Sequence, residues 1–171
     1  VKSIGYCAFA GCTGLKTISI PDNITSIADG AFRNTGLTSI TLGKNITKIA
    51  SETFCGCKYL ASVTLSNSVT SIGSDAFSGC KRLTSITIPD SVAIIESSAF
   101  SDCTGLASAV IGKKVTKISS YAFKGCKGLK SITIPDSVTY LGSSAFEDCT
   151  GLTSVKIGNN LTVIGDCAFK N

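Results

Sequence analysis

The chain is 171 residues long, which is enough for one well-buried domain, and 43% of its residues are hydrophobic. Lysine and arginine number 16 against 11 aspartates and glutamates, so the net charge of +5 is modest, and there is no His. Without His the sequence lacks the commonest metal ligand and general base, and no apolar run approaches the ~20 residues of a membrane span. We therefore expect no metal centre, no cofactor and no membrane span.

A phenylalanine recurs at a nearly constant interval along the whole chain. It occupies positions Phe9, Phe32, Phe54, Phe77, Phe100, Phe123, Phe146 and Phe169. The interval is 23 residues except between Phe32 and Phe54, where it is 22. The next Leu comes five positions after Phe32, at Leu37, but six positions after Phe9, at Leu15. One residue is therefore missing after Phe32, where other units carry Cys. A fixed period of this length indicates a repeat protein.

Within each unit the apolar positions are also fixed. The first complete unit begins with Leu-x-x-Ile-x-Ile over residues 15–20, where β-branched residues alternate with Ser or Thr. That alternation predicts a strand. Pro21 and Asp22 come next and predict a turn. A second apolar pair, Ile24 and Ile27 in this unit, precedes the Ala-Phe sequence.

Such units predict a stacked architecture. One unit cannot bury its apolar face alone, so successive coils have to share a continuous core. Parallel strands of neighbouring coils would lie about 4.7–4.9 Å apart. The sequence therefore predicts a repeat solenoid of about 23 residues per coil with a parallel β main strand in each coil.

The most complete unit runs from Leu83 to Cys103. Its pattern is Leu-x-x-Ile-x-Ile-Pro-x-x-Val-x-x-Ile-x-x-x-Ala-Phe-x-x-Cys. This pattern resembles the BspA-like (Treponema-type) leucine-rich repeat, and the resemblance covers nearly the whole chain. It implies a main strand at Leu-x-x-Ile-x-Ile, a short second strand at Val-x-x-Ile and a tight helical turn near Ala-Phe. The chain departs from the pattern at Thr53, where Ala is expected, and in the unit after Phe32, which has no Cys.

Residues 1–171 are expected to form a single leucine-rich repeat domain. Val1 falls in the middle of a unit, and Asn171 comes just after an Ala-Phe sequence. Neither end shows the polar cap that a solenoid needs for solubility, and the chain has no Met and no signal peptide. We expect a fragment of a longer protein whose caps and targeting segment lie outside it.

The nine cysteines fall into two groups. Six of them follow a Phe by three positions, namely Cys12, Cys57, Cys80, Cys103, Cys126 and Cys149. Stacking would align these six in one column, where side chains in register point the same way, so neither disulfides nor a tetrahedral zinc site are expected. We interpret the column as buried, reduced and structural. Cys7, Cys55 and Cys167 lie outside it, and whether they are reactive is left open.

The main strands should expose two columns of mostly hydroxyl-bearing side chains. One column is Thr17, Ser39, Ser62, Ser85, Ser108, Ser131 and Ser154. The other holds the candidate binding residues Ser19, Thr41, Thr64, Thr87, Thr133 and Lys156, with Val110 among them. Binding hot spots favour Trp, Tyr and Arg, which this face lacks. Ser and Thr are also typical of a solvated strand face, and that interpretation is favoured for each residue.

A basic rim is the second candidate surface. Its residues follow the cysteine of their units and are Lys58, Lys81, Arg82 and Lys127. A rim of this kind could attract an anionic glycan or nucleic acid. So few charges make a weak field, however, which favours a solubilising edge, and nucleic acid is not an expected partner.

The sequence favours recognition over catalysis. It contains no phosphate loop, nucleophile elbow or metal motif, and its acidic residues are scattered, so no enzyme is predicted. The leading hypothesis is a protein-interaction module of a cell-surface or secreted protein. Solenoids offer extended binding faces, and the family that the repeat resembles is associated with microbial surface proteins and adhesion. The partner would be a protein or a surface glycan. The alternative is a structural spacer that holds another domain away from a surface.

Overall fold

The computed structural model describes residues 1–171 as fourteen short strands joined by turns. The strands are β1 Ser3–Ile4, β2 Ser26–Ile27, β3 Ser39–Thr41, β4 Lys48–Ile49, β5 Ser62–Thr64, β6 Ser71–Ile72, β7 Ser85–Thr87, β8 Ile94–Ile95, β9 Ser108–Val110, β10 Lys117–Ile118, β11 Ser131–Ile134, β12 Tyr140–Leu141, β13 Ser154–Ile157 and β14 Val163–Ile164. Because no helix forms, none is present with the length and hydrophobicity that a membrane crossing needs.

The strands form two columns along the stack, and every pairing is parallel. The main strands pair as β3–β5, β7–β9 and β11–β13, with contacts that join each pair to the next. The second strands form a six-stranded sheet in the order β4-β6-β8-β10-β12-β14. Partners such as Ser39 and Ser62, or Ile72 and Ile95, are 23 positions apart. This register confirms the predicted parallel solenoid and its period.

The core is one contiguous cluster of 42 buried residues between Ile20 and Ala168. The period-2 geometry of the main strand produces it, because successive side chains point to opposite faces. In β7, for example, Ile86 is buried while Ser85 and Thr87 on either side are exposed. Each coil thus contributes an apolar layer, and the neighbouring coils cover it.

The phenylalanines form a continuous stack through this core. Their ring centroids lie 5.1–5.6 Å apart from coil to coil, and the angles between neighbouring rings do not exceed 14°. Phe32 and Phe146 and the four rings between them are completely buried, while the terminal rings of Phe9 and Phe169 are only partly covered. Parallel rings at this separation add favourable contacts to the burial of their area.

The turn that carries Ala-Phe is not helical, so the helical turn expected from the resemblance is wrong. The residues two before and two after the Phe have positive φ, as at Ser98 (57°) and Asp102 (56°), and a right-handed helix needs every residue in the opposite region. Successive amides of this turn therefore donate alternately to a carbonyl of their own coil and to a carbonyl of the next coil. Ser101 N donates within the coil to Ser98 O at 3.0 Å, whereas Phe100 N donates forward to Ala122 O of the next coil at 2.7 Å.

Amides around the second strands donate in the opposite sense. Gly73 N donates to Ile49 O at 2.8 Å, and Glu96 N donates to Ile72 O at 3.0 Å. In both cases the acceptor belongs to the preceding coil. The two edges of the stack are therefore held together by backbone hydrogen bonds of opposite direction.

Aspartates in the turn between the strands also connect the coils. Asp90 Oδ1 accepts a hydrogen bond from Lys113 N of the next coil at 2.7 Å. Asp136 Oδ1 accepts from Asn159 N in the same way, at 2.7 Å. These amides lie at exposed turns, and the carboxylate gives each of them a fixed acceptor.

We expect Asp90→Ala to lower the free energy of unfolding by about 1 kcal/mol, because Lys113 N loses its charge-assisted hydrogen bond. Urea unfolding followed by circular dichroism measures the change. Asp90→Asn is the matched control, since its amide oxygen can still accept, and it should lose less. Equal losses in the two variants would show that the acceptor oxygen is not what stabilises the turn.

Candidate binding surfaces

We define the strand face as the outward side chains of the main-strand column. Its candidate binding residues, Ser19, Thr41, Thr64, Thr87, Thr133 and Lys156, are all exposed. Thr41 is the register partner of Thr64, and Thr133 is that of Lys156. Ser19 lies in the first coil, where no main strand forms. The face is a regular row of hydroxyl groups with one apolar interruption at Val110, which is 54% exposed.

The strand face ends at shallow grooves along the Pro-Asp turns. One groove, of about 480 Å³, is bordered by Thr133 and Lys156 of the strand face and by Asp136 and Asn159 of the turns. Hydroxyl, ammonium, carboxylate and amide groups therefore meet at one edge. A partner that lies across the strand face would contact these turns as well.

The basic rim is only partly continuous. Lys58, Lys81, Arg82 and Lys127 are all exposed. The first three belong to adjacent coils, but Thr104 occupies the coil between Lys81 and Lys127. Arg82 lies over the ring of Tyr59, with its Cζ 5.6 Å from the ring centroid. The structure thus brings three of the four cations together and leaves Lys127 apart.

The cysteine column lies in the core beside the phenylalanine stack. Five of its thiols are completely buried, those of Cys57, Cys80, Cys103, Cys126 and Cys149. Each donates a hydrogen bond of 3.0–3.3 Å to the backbone carbonyl of the Phe in the preceding coil, as Cys103 Sγ does to Phe77 O. Cys12, in the first coil, is exposed. Every cysteine of the chain has a free thiol.

Burial sets the ionisation of these thiols. Loss of hydration disfavours the thiolate, so burial raises the pKa of Cys80, Cys103 and Cys126 well above the ordinary value. It raises the pKa of Cys149 to about 11. A neutral, buried thiol is a poor nucleophile and a poor metal ligand. The column can therefore act as a set of small apolar side chains that also donate hydrogen bonds.

The remaining cysteines occupy different places in the coil. Cys7 and Cys167 stand two residues before a Phe and have positive φ, 51° and 58°. Cys167 is exposed, whereas Cys7 and Cys55 are half-buried. Desolvation is the main cause that raises the pKa of the Cys55 thiol. No three His, Cys, Asp or Glu side chains are arranged to hold a metal ion.

In the unit after Phe32, which is one residue short, the missing residue does not lie at the cysteine position as the sequence suggested. Thr35 occupies the column position three after Phe32, and its Oγ1 lies 3.1 Å from Cys57 Sγ. Thr35 is 3% exposed, so the cysteine site is filled rather than vacant. The missing residue instead falls between Thr35 and Leu37. Counting positions from the Phe rather than from the Leu would have located it.

A cavity opens where that residue is missing, and we call it the notch. Its volume is about 330 Å³, and it is lined by Thr13, Lys16, Asn34, Thr35, Gly36, Gly56, Lys58 and Tyr59. Lys16 Nζ lies 5.2 Å from the centroid of the Tyr59 ring and 3.4 Å from Thr13 O. No acidic residue lines the notch. Of the basic-rim residues proposed from the sequence, only Lys58 belongs to it.

Solved structures of three bacterial leucine-rich repeat proteins are similar to the chain. A protein from Eubacterium ventriosum has a TM-score of 0.79 at 32% identity, over 89% of this chain and 41% of its own. A protein from Bacteroides ovatus has a TM-score of 0.74 at 28% identity, over 99% and 56%. A T. pallidum leucine-rich repeat protein has a TM-score of 0.74 at 30% identity, over 81% and 64%. The chain thus spans from 41% to 64% of these proteins.

Curated proteins offer no match to the sequence. The model of the BspA-type leucine-rich repeat region, in contrast, matches residues 1–107 and 72–171, with six copies of the repeat. These two ranges together cover the whole chain. The periodic core, the parallel strand columns and this match agree, and the chain belongs to the BspA-type leucine-rich repeat family.

Proposed function

We propose that this chain is a non-enzymatic interaction module of a cell-surface or secreted protein and that it serves in adhesion. The observation that supports the proposal is the strand face, whose candidate residues are all exposed and aligned at one residue per coil. Leucine-rich repeat domains generally mediate protein interactions, and the family is generally non-enzymatic. The surface location rests on the association of BspA-type repeats with microbial surface proteins.

The physical character of the strand face suggests what it would recognise. Backbone hydrogen bonds between coils fix the backbone from which its short hydroxyl side chains project, so little backbone freedom is lost when a partner binds. Each hydroxyl can both donate and accept a hydrogen bond. A protein surface or a surface glycan rich in polar groups would match such a row. Because the face lacks Trp, Tyr and Arg anchors, many weak contacts would have to share the binding energy.

The test is binding of the chain to extracellular-matrix proteins and mucin-type glycans on an array, followed by titration of any hit. We expect saturable binding. The double variant Thr64→Arg/Thr87→Arg should weaken it roughly tenfold or more, because two bulky, charged side chains would interrupt the hydroxyl groups of the strand face. Ala93→Arg is the matched control, since Ala93 is exposed beside the second strands. Equal weakening by the control and the double variant would contradict a binding role for the strand face.

A structural spacer is the second candidate. The regular stack supports it, since coils of one shape and one shared core make a rigid rod without further requirements. The same array separates the two roles. A spacer would show no saturable partner, and the strand-face variants would then leave every measured interaction unchanged.

A further inference from the structure

We propose that the notch is a binding site for one unit of an acidic sugar, carrying a carboxylate or sulfate group. This goes beyond the proposed function, because the notch lies at the turns after the cysteine column and not on the strand face. Its lining combines the side chains of Lys16 and Lys58 with the Thr13 hydroxyl, the Asn34 amide and the aromatic ring of Tyr59. Cations supply attraction for an anion, and hydroxyl and amide groups supply partners for a polyol.

The notch is a specific departure from the repeat. The position just before each core Leu is occupied by Gly14, Gly36, Tyr59, Arg82, Gly105, Gly128 and Gly151. At Gly105 and Gly151 a Cβ would collide with the carbonyl of Lys81 or Lys127 in the preceding coil. A side chain at this position therefore needs extra room. Tyr59 and Arg82 nonetheless carry side chains at this position, and Tyr59 directly follows the shortened turn where the notch opens.

The side chains that line the notch are restrained by contacts with one another and with Arg82. Lys16 Nζ hydrogen-bonds to Thr13 O at 3.4 Å and lies over the Tyr59 ring, while Arg82 approaches the same ring. Cation–π contacts of this kind restrain a flexible ammonium. Because Thr13 O is a single acceptor and an ammonium has three donors, Lys16 keeps donors available for a ligand in the notch.

Size and charge select the class of ligand. A volume of about 330 Å³ is at the small end of the ~300–1,000 Å³ range of ligand pockets. This suits one sugar ring rather than a peptide or an extended chain. With no carboxylate in the lining, nothing repels an anion, and a neutral sugar would leave both ammonium groups without a counter-charge.

The test titrates the full chain with glucuronate, glucose 6-sulfate, glucose and inorganic sulfate at low ionic strength, followed by NMR chemical shifts. We expect saturable shifts at the notch residues with at least one acidic sugar and much weaker shifts with glucose. Lys16→Ala/Lys58→Ala should weaken binding roughly tenfold or more, because both charge-assisted contacts are lost. Lys113→Ala/Lys114→Ala removes the same charge from another exposed turn and should leave the affinity unchanged.

Insertion of one Gly between Thr35 and Gly36 restores the 23-residue interval and should close the notch and abolish binding. If that variant does not fold, the lysine variants still decide the outcome. Equal affinity for inorganic sulfate and the acidic sugars, equal binding of glucose, or equal loss in both lysine double variants would each overturn the proposal. None of these results would bear on the strand face.

Discussion

Phe100→Ala is expected to lower the free energy of unfolding by about 3–5 kcal/mol, the usual cost of removing a buried aromatic ring. Phe100 is completely buried. Its ring centroid lies 5.2 Å from that of Phe77 and 5.1 Å from that of Phe123. The substitution would remove contacts on both faces of the ring. It would also leave a cavity, because the backbone hydrogen bonds of the turn fix the spacing of the neighbouring coils and prevent them from closing over it. Urea unfolding measures the loss.

Phe9→Ala is the matched control for this substitution. Its ring is only partly buried and stacks on a single neighbour, Phe32. We expect it to cost less than half as much as Phe100→Ala. Because coils interact mainly with their neighbours, the Phe100 variant should also broaden the unfolding transition or divide it in two. A loss below about 1 kcal/mol for Phe100→Ala would show that the ring stack is not a main source of stability.

Alkaline pH is expected to destabilise the fold steeply. Thiols in the unfolded chain ionise near pH ~8.5, whereas burial keeps the folded-state pKa of Cys57, Cys80, Cys103, Cys126 and Cys149 above its ordinary value. The unfolded state therefore releases protons first. Stability is retained below pH ~8.5 and falls as the pH rises toward the folded-state pKa.

The slope of that fall follows from the number of buried thiols. Each contributes up to about 1.4 kcal/mol per pH unit, so the five together contribute up to about 7 kcal/mol per pH unit. Urea unfolding under reducing conditions between pH 8 and about 10 would measure the slope. Cys103→Ala/Cys126→Ala should be less stable than the parent at pH 8 but should lose stability more slowly above it. The same slope in both proteins would show that the buried thiols do not cause the alkaline loss.

Much of the fold could be predicted because one physical constraint repeats. An apolar residue at a fixed place in every coil can be buried only by the same residue of the next coil, so the recurrence of Phe and of Leu-x-x-Ile-x-Ile defines both the period and the register. The exposed and buried residues of β7 follow directly from the alternation of Ser85, Ile86 and Thr87. The burial of Cys57 and Cys103 follows from their position beside the phenylalanines.

The Ala-Phe turn was harder to predict because its conformation depends on residues that do not prefer it. Ser98 and Tyr121 have positive φ in this structure, although neither is Gly or Asn, the residues that usually signal such a backbone. Hydrogen bonds to carbonyls of the next coil stabilise this conformation. The sequence of a single unit does not contain those acceptor carbonyls. The resemblance therefore gave the position of the turn and the wrong type.

The candidate surfaces were predictable in part for a similar reason. Exposure of Thr64 and Thr87 requires only the strand period, whereas the separation of Lys127 from Lys81 depends on what the intervening coil carries. The notch depends on a residue that is missing and on side chains from three coils. Lys16 and Tyr59 are 43 positions apart in sequence, and no local pattern indicates that they meet.

The opposite directions of hydrogen bonding at the two edges of the stack have an electrostatic consequence. Peptide dipoles of an α-helix all align, so partial charges of opposite sign accumulate at its two ends. Here alternate amides of the Ala-Phe turn point toward the next coil, and amides beside the second strands point toward the previous one. Their dipoles oppose each other along the long axis. An array of this kind can lengthen without building up a potential difference from end to end.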